Sequence, residues 1–227
     1  MTEIKPIAYI RTDLPTKFGI PRQSNVVSKL KGRIVFEEEY RNPDALRGIE
    51  QYSHLWLIWQ FSENVRAKWS PTVRPPILGG NERVGVFATR SSFRPNALAL
   101  SCVKLEGLQK TKEEGTTLLV SGIDMMDKTP IFDIKPYIPK WDVKEGARGG
   151  FTEKIEKKLL CVEDSQELLN RLSVEKRDAL TEILEQDPRP AYQKDPERIY
   201  GFPYAGFEVK FQVKDGVLYL LELKDEN

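Results

Sequence analysis

Residues 84–107 read V-G-V-F-A-T-R-S-S-F-R-P-N-A-L-A-L-S-C-V-K-L-E-G, and the interpretation of the fold starts from them. An apolar run leads in, a polar loop with Arg90 and Arg94 follows, and a second apolar run at 97–105 leads out. Two strand-like runs joined by a loop predict a hairpin that holds charged side chains on a rigid frame. The two arginines could reach one anionic group with their planar guanidinium groups, or they could belong to a solvated turn. Both interpretations remain open at this point.

The composition is that of an ordinary globular chain. Its 227 residues are 40% apolar and 30% charged, and the formal net charge is +1 at pH 7. The length allows one large domain, or one large and one small, with a substantial core. Because the net charge is small, any contact with nucleic acid must come from a local basic patch. Residues 68–96 form a modest one, since they carry a single carboxylate, Glu82, against Lys68, Arg74, Arg83, Arg90 and Arg94.

Cysteine and histidine usage argues against a metal centre. Cys102 and Cys161 are far apart with no CxxC spacing, and His54 is the single histidine. A structural zinc site needs four suitable ligands, so we expect no metal. The N-terminal residues lack the order of a signal peptide, and no apolar run is long enough to span a membrane. We therefore expect a cytoplasmic protein with reduced thiols and no membrane partner.

The apolar runs predict a mainly β protein that is α+β overall. Strand-like runs recur at hairpin spacing through the first 140 residues, which favours a closed or strongly curved sheet over a βαβ fold. The run at 55–61, L-W-L-I-W-Q-F, is almost continuously apolar and predicts a strand buried on both faces. Asn42 before Pro43 predicts a short helical turn with the asparagine as N-cap. The remaining predicted strands lie at residues 4–10, 32–40, 117–123 and 130–138.

The character of the chain changes after residue 150. The apolar spacing at 165–186 is helical and predicts either one helix or two short ones, since Ser165 and Ser173 are both candidate N-caps. Residues 207–223 read as two strands around Lys214-Asp215-Gly216, which is a hairpin signal. We therefore predict an N-terminal β-barrel domain at 1–140, a linker at 141–150 and a small α+β domain at 151–227.

Polar residues at the ends of apolar runs are the candidates for a functional site. The common nucleotide-binding, metalloprotease and hydrolase motifs do not occur. The polar clusters favour a ligand site at one rim of a barrel or sheet, although each cluster alone could be a surface or turn feature. His54 is either a base that works near neutral pH or a core histidine bonded to a carbonyl. The clusters are Arg22 with Gln23, Ser62 with Glu63, Arg90, Asp127 with Thr129, and Asp133 with Lys135.

A set of short motifs carries a resemblance to one known family. They are Pro21-Arg22-Gln23, Ser53-His54-Leu55-Trp56, residues 70–76, G-V-F-A-T-R-S at 85–91, R-P-N at 94–96, D-I-K-P-Y at 133–137 and D-P-R-P-A-Y at 187–192. In this combination and order, nearly the whole chain resembles the TrmO family, also called TsaA-like or YaeB-like. The resemblance implies a homodimeric, S-adenosylmethionine-dependent tRNA methyltransferase with a β-barrel of non-Rossmann type. Its implied target is N6 of threonylcarbamoyl-modified adenosine beside the anticodon of threonine tRNA.

The resemblance also implies which residues bind the cofactor. Two positions depart from the family pattern, because Lys128 stands where a turn glycine is usual and Ser62 where a larger polar residue is common. The implied contacts with S-adenosyl-L-methionine are Pro21, Arg22, Gln23, Ser62, Glu63, Arg90, Leu100, Asp127, Lys128, Thr129 and Pro130.

Methyl transfer to an adenine amine suggests further roles. The enzyme must align donor and acceptor and exclude water, and a carboxylate or hydroxyl that accepts an N–H would help the weakly nucleophilic amine. Asp133 and Tyr137 are our candidates for that contact, with His54 third. Two alternatives remain open, a non-catalytic RNA-binding module and a methyltransferase of this fold with another substrate. The residues expected to contact tRNA are Arg74, Arg94, Asp187, Arg189, Tyr192 and Lys194, although D-P-R-P-A-Y could instead be only a turn that ends a helix.

Overall fold

We analysed a computed structural model of the chain, which describes residues 3–64, 69–154, 158–190, 193 and 195–226. Strands and short helices in this part of the chain are numbered in order. The strands are β1 (Ala8–Thr12), β2 (Lys31–Phe36), β3 (His54–Gln60), β4 (Thr72–Val73), β5 (Val84–Gly85), β6 (Leu98–Thr111), β7 (Gly115–Ser121), β8 (Pro130–Pro136), β9 (Cys161–Glu163), β10 (Ile199–Tyr204), β11 (Phe207–Lys214) and β12 (Val217–Asp225). The α-helices are α1 (Pro139–Asp142) and α2 (Val174–Glu185).

Six antiparallel strands close into a barrel in the order β1-β2-β7-β6-β3-β8. β8 returns to β1 through the pairs Ala8↔Ile131 and Tyr9↔Pro130, so the sheet has no free edge at that point. Side chains that alternate along each strand fill the interior, as Leu55, Leu57 and Trp59 do on β3. The prediction of a mainly β protein with few helices is confirmed.

β3 is buried on one face only, which corrects the prediction for residues 55–61. Its burial alternates, and Trp56 and Ile58 point out of the barrel half-exposed. Tyr137 packs on the outward Trp56 ring at a centroid distance of 5.6 Å, and the indole Nε1 donates to Asp142 Oδ2 at 3.2 Å. The continuous apolar run therefore reflects a core on one side and a partial cover from the segment after β8 on the other.

The predicted hairpin at 84–107 is wrong in its pairing. β5 is only two residues long and pairs with β4, and a 3₁₀ turn at Val86–Ala88 then ends the run. β6 pairs instead with β3 and β7. Arg94 explains why the loop does not extend into a ladder, because its guanidinium group donates to the carbonyl oxygens of Val86 at 3.2 Å and Thr89 at 2.6 Å.

The C-terminal half has a second sheet in the order β10-β11-β12-β9. The predicted hairpin between β11 and β12 is confirmed, with Asp215 at φ 51° and Gly216 at φ 80°. Two left-handed residues are what the twist of a tight hairpin requires. Of the two alternatives for 165–186, the structure has two helices, a 3₁₀ helix at Leu168–Arg171 and α2. Ser173 stands at the N-cap of α2 without a capping bond from its side chain, while Glu167, not Ser165, precedes the first helix.

Other local predictions differ only at their ends. The first two strands are shorter than the apolar runs at 4–10 and 32–40, because β1 begins at Ala8 and a 3₁₀ turn at Glu38–Tyr40 follows β2. The side chain of Asn42 accepts from the Asp44 N–H at 3.0 Å, which confirms the predicted cap. In the expected linker, α1 covers Pro139–Asp142 and a 3₁₀ turn begins at Gly150. No helix among the described residues is long and apolar enough to cross a membrane.

The C-terminal half, residues 158–226, packs against the segment between β1 and β2. Phe202 of β10 packs against Phe18 at 5.7 Å between ring centroids and covers Gly19, where an added Cβ would meet the Phe202 ring at 2.6 Å. The Ala205 N–H donates to the Asp13 carbonyl at 2.9 Å. Ion pairs from α2 add Lys176 to Asp13 at 3.1 Å, Lys29 to Asp178 at 2.8 Å and Lys31 to Glu175 at 2.6 Å. The buried residues of both halves form one continuous cluster, so the division into domains stays a prediction.

Candidate active site

One end of the barrel gathers the ends of three strands. The register pairs Gln60 with Leu98 and Trp59 with Ile131, so the end of β3 lies beside the starts of β6 and β8. A cavity of about 180 Å³ opens there, with Trp59 and Phe61 among its walls. The polar residues that line it include Ser62, Glu63, Ser92, Asp124 and Thr129.

Asp124 lines this cavity and belongs to a hydrogen-bonded chain. The buried Trp59 Nε1–H donates to Ser101 Oγ at 2.9 Å, and the Ser101 hydroxyl donates to Asp124 Oδ1 at 2.6 Å. Burial raises the pKa of the Asp124 carboxyl above its ordinary value, and the hydrogen bonds from Ser101 and the Ser24 N–H, with the charge of Arg90, oppose that rise. These hydrogen bonds hold the partly desolvated carboxylate of Asp124 in a fixed orientation.

Sequence reasoning missed Asp124. It follows the apolar run at 117–123 as Ser62 follows β3, so the same signal of a polar residue after a buried strand was present. Nothing in the local sequence marked Ser101 as a site residue, because it lies inside β6 and is brought to Asp124 only when the barrel closes.

Arg90 and Gln23 meet at the rim of this end. Arg90 Nη1 donates to Gln23 Oε1 at 2.5 Å, and Gln23 Nε2 donates to the Arg22 carbonyl at 2.7 Å. Pro21 beside them is buried, whereas Arg22 is exposed. The structure thus brings together the P-R-Q triplet and the arginine of A-T-R, which are distant in sequence.

The turn at 127–130 is joined to β1. The Thr12 N–H donates to Asp127 Oδ1 at 3.1 Å, and Arg11 Nη1 lies 3.6 Å from Asp127 Oδ2. Lys128 has φ 64°, the left-handed conformation that favours glycine, and its N–H donates to Ile10 O at 2.8 Å. Thr129 and the buried Pro130 complete the turn and start β8.

Lys128 does not line the cavity beside Thr129. It lines a second cavity of about 400 Å³ together with Tyr9, Arg11, Arg41 and Glu114. The Lys128 side chain therefore leaves the first cavity open, and its backbone keeps the conformation that favours glycine.

The three candidates for the adenine contact do not reach this cavity within one chain. His54 begins β3 and Ser62 follows its other end, about 20 Å away at 3.3 Å per residue. Tyr137 lies with His54, since its N–H donates to the His54 carbonyl at 2.9 Å. Asp133 is on the outer face opposite Ile58, and its Oδ2 lies 2.9 Å from Lys135 Nζ. Leu100 shares that outer face with 53% of its surface exposed.

The residues expected to contact RNA differ in availability. Arg74 is exposed, whereas Arg94 donates to the backbone carbonyls of its own loop. The Arg189 side chain is 13% exposed, and its guanidinium group lies across the Asp187 carboxylate, with Nε–Oδ1 at 2.7 Å and Nη2–Oδ2 at 2.8 Å. Tyr192 and Lys194 lie outside the described residues, as does Lys68 of the basic patch. Within the described ranges, no group of three or more His, Cys, Asp or Glu side chains could hold a metal ion.

Comparisons with known proteins cover both halves of the chain. Residues 9–143 match the family model of the tRNA-methyltransferase O N-terminal domain, and residues 150–226 match that of the TrmO C-terminal domain. The chain belongs to the TrmO family. It is 37% identical over 228 aligned residues, 94% of each chain, to the tRNA (adenine(37)-N6)-methyltransferase of Escherichia coli. The family resemblance in the sequence motifs is thereby confirmed.

Two further similarities reach the same family. The chain is 40% identical over 205 residues, 87% of each chain, to a Pseudomonas aeruginosa protein described as a putative S-adenosylmethionine-dependent methyltransferase. It also superimposes on a crystal structure of TrmO from P. aeruginosa with a TM-score of 0.78 and 32% identity, covering 100% of this chain and 98% of the other.

Proposed function

We propose that this protein transfers the methyl group of S-adenosyl-L-methionine to N6 of the adenine at position 37 of a tRNA. The observation that carries the proposal is the similarity to a tRNA (adenine(37)-N6)-methyltransferase over 94% of the chain. Local geometry supports it, because several of the residues that the family resemblance selects for the cofactor lie at one end of the barrel, although Leu100 and Lys128 do not line the cavity there. Among them Ser62, Glu63 and Thr129 line the same cavity, and Arg90 bonds to Gln23 at its rim.

The residues at the cavity suit the chemistry of this cofactor. The apolar side chains of Phe61 and Met126 can pack on a purine, while Glu63 provides a carboxylate for a cationic group of the cofactor. Arg90 can pair with the carboxylate of the methionine moiety. Pockets for whole drug-sized ligands measure about 300–1,000 Å³. At about 180 Å³ the cavity takes only part of the cofactor, so the remainder lies along the rim.

When bound, the cofactor supplies a methyl group that the adjacent sulfonium strongly activates. The residues of this chain then align the acceptor, exclude water and manage one proton. Asp124 is the carboxylate at the cavity best placed to accept an N–H of the adenine amine, since Ser101 fixes its orientation. Burial raises its pKa, which makes Asp124 a better proton acceptor than an exposed carboxylate.

Asp133, Tyr137 and His54 keep a role only if a second copy brings them to the cavity. They lie on the outer face or at the far end of β3 in their own chain. The family resemblance implies a homodimer, and two copies that share a site would let these residues act on the neighbour's substrate. Mixing the Asp133→Ala and Asp124→Asn variants and measuring methyl transfer distinguishes a site shared between two chains from a site within one chain. In a shared site, a mixed dimer has one centre with both carboxylates intact, so activity returns.

The finer features of the proposal rest on the family resemblance. They are the threonylcarbamoyl group on the target adenosine, threonine tRNA as its carrier, a cytoplasmic homodimer, and the division into a barrel domain at 1–140, a linker at 141–150 and a C-terminal domain at 151–227 that contacts tRNA. Arg74, Arg94, Arg189, Tyr192 and Lys194 remain the proposed tRNA contacts, and Asp187 orients Arg189.

The test is methyl transfer to purified tRNAs that carry or lack the threonylcarbamoyl group. We expect label from the cofactor in the modified threonine tRNA, and nucleoside mass analysis locates it on N6. Binding of RNA without cofactor binding in calorimetry would support the RNA-binding module instead. Cofactor binding without methylation of any tRNA would indicate a methyltransferase with another substrate.

A further inference from the structure

Two aromatic rings outside the cavity are stacked on each other and face solvent. Trp69 and Phe87 have ring centroids 6.2 Å apart and an interplanar angle of 29°. Phe87 is 73% exposed, the highest value among the large apolar side chains that the structure describes, and Trp69 is 54% exposed. Exposed apolar groups that cluster are a recognised mark of a binding surface.

The ribbon of β4 and β5 holds the two rings in place. Thr72 pairs with Gly85, and the Val86 N–H donates to the Pro71 carbonyl at 2.9 Å, so the ladder continues almost to the rings. Val86 is 1% exposed and anchors the 3₁₀ turn that carries Phe87. The pair is therefore arranged before any ligand arrives, which lowers the entropic cost of binding.

The ribbon that carries the rings has a positive charge at its other end. Arg74 and Arg83 are exposed on the same ribbon, and Glu82 is the single carboxylate in the sequence from 69 to 97. No ion pair of Arg74 or Arg83 is found among the described residues, and Arg83 Nη1 donates to the Thr72 hydroxyl at 3.4 Å. Aromatic faces beside arginines suit unpaired nucleotides, whose bases stack and whose phosphates accept from guanidinium groups.

We propose that Trp69 and Phe87 form a stacking platform for unpaired bases of the RNA substrate, with Arg74 and Arg83 on the flanking phosphates. This inference rests on the proposed function and adds the surface that receives the RNA. Ser92 follows Phe87 in the same segment and lines the cavity wall, so one short stretch of chain joins the platform to the proposed site of methyl transfer. An apolar protein partner would leave the two arginines without anionic groups.

The experiment measures binding of a fluorescent anticodon stem-loop RNA by anisotropy over a series of KCl concentrations. We expect Phe87→Ala and Trp69→Ala each to weaken binding about 5- to 150-fold, the range for loss of one stacked base. The salt slope stays unchanged in these variants, because no charge is removed. Arg83→Ala reduces that slope by about 0.7, as one phosphate contact to a single strand does.

Matched variants separate stacking from loss of structure. Phe87→Tyr keeps an aromatic face and retains the wild-type affinity. Trp141→Ala removes another indole that is 61% exposed and lies outside the platform, so it leaves binding within about twofold. Thermal unfolding of Phe87→Ala matches the wild type, because the ring is exposed.

Wild-type affinity in both alanine variants overturns the platform. A change of oligomeric mass in the alanine variants, measured by sedimentation, also overturns it if that change accounts for the lost affinity. In that case the two rings would contact a second copy of the chain and not RNA. If the wild-type protein methylates tRNA while both variants bind normally, only the platform fails. If the wild type neither binds nor methylates RNA, the proposed function fails with it.

Discussion

Replacement of Ser101 by alanine tests the hydrogen-bonded chain below the cavity. Ser101 is 2% exposed and makes two bonds, one from Trp59 Nε1 at 2.9 Å and one to Asp124 Oδ1 at 2.6 Å. The variant leaves a buried indole N–H without its acceptor, at a cost of about 1–3 kcal/mol, and removes a bond to a carboxylate worth about 1.5–3 kcal/mol. Because the two losses overlap, we expect about 2–4 kcal/mol less unfolding free energy at neutral pH.

The pH dependence gives this prediction a second readout. The folded pKa of Asp124 already lies above its unfolded value, so the folded state loses stability as pH rises from the ordinary carboxyl value, about 4, through the raised folded value. The Ser101 hydroxyl lowers that folded pKa, and its removal raises it further. The difference between variant and wild type should therefore be smallest in acid and grow as pH rises through this window.

Urea unfolding at a series of pH values, followed by tryptophan fluorescence, measures both effects. Ser121→Ala is the comparison, because Ser121 is 3% exposed and also donates to a carboxylate, Glu106 Oε1 at 2.6 Å. The Ser121 hydroxyl holds the pKa of Glu106 below its ordinary value, so the loss in Ser121→Ala should develop below the ordinary carboxyl pKa and the loss in Ser101→Ala above it. A loss below about 1 kcal/mol in Ser101→Ala, or a difference that does not change with pH, would refute the proposed coupling of Ser101 to Asp124.

Three further outcomes can be measured. Arg90→Ala should weaken cofactor binding in calorimetry about 10- to 100-fold, since it removes a cation and the bond that holds Gln23; unchanged affinity would take Arg90 out of the cofactor site. Gly19→Ala should lower the thermal midpoint clearly, because φ is +88° and the new Cβ would lie 2.6 Å from the Phe202 ring; a midpoint equal to the wild type would mean that the segment yields freely. Leu180→Ala should cost about 2–5 kcal/mol in urea unfolding, as the side chain is fully buried, and a loss under 1 kcal/mol would contradict its place in the core.

Local patterns in the sequence were enough to place several elements. The run at 55–61 identified β3 to within one residue at each end, and Asp215-Gly216 identified the last hairpin, because a tight turn needs left-handed backbone at both positions. Asn42 before Pro43 likewise described its own cap. In each case the physical cause lies within a few residues of chain.

Pairing partners were harder to predict, since they depend on closure of the barrel. Residues 97–105 have the same composition whether they pair with the preceding run or with β3, and the bonds from Arg94 to the Val86 and Thr89 carbonyls decide against the hairpin. Among site residues, Glu63 lines the cavity and Gln23 bonds to Arg90, and their role at the cofactor stays a prediction. The sequence could not show that His54 and Tyr137 lie at the other end of β3, because a strand boundary in the sequence does not say which end of the barrel it reaches.

Under the proposed function, in which the C-terminal half contacts tRNA and Gln23 contacts the cofactor, the packing of that half on the segment between β1 and β2 would make the cofactor and RNA affinities interdependent. That segment includes Pro21, Gln23 and Ser24, and its conformation is fixed by Phe202 on one side and by the bond from Ser24 to Asp124 on the other. Any ligand that stiffens or displaces the C-terminal sheet acts on the backbone that carries Gln23. By thermodynamic reciprocity, a cofactor that orders the same backbone changes the affinity of that sheet for its ligand by the same factor. A chain shortened before residue 150 would lose this exchange, even with every barrel residue intact.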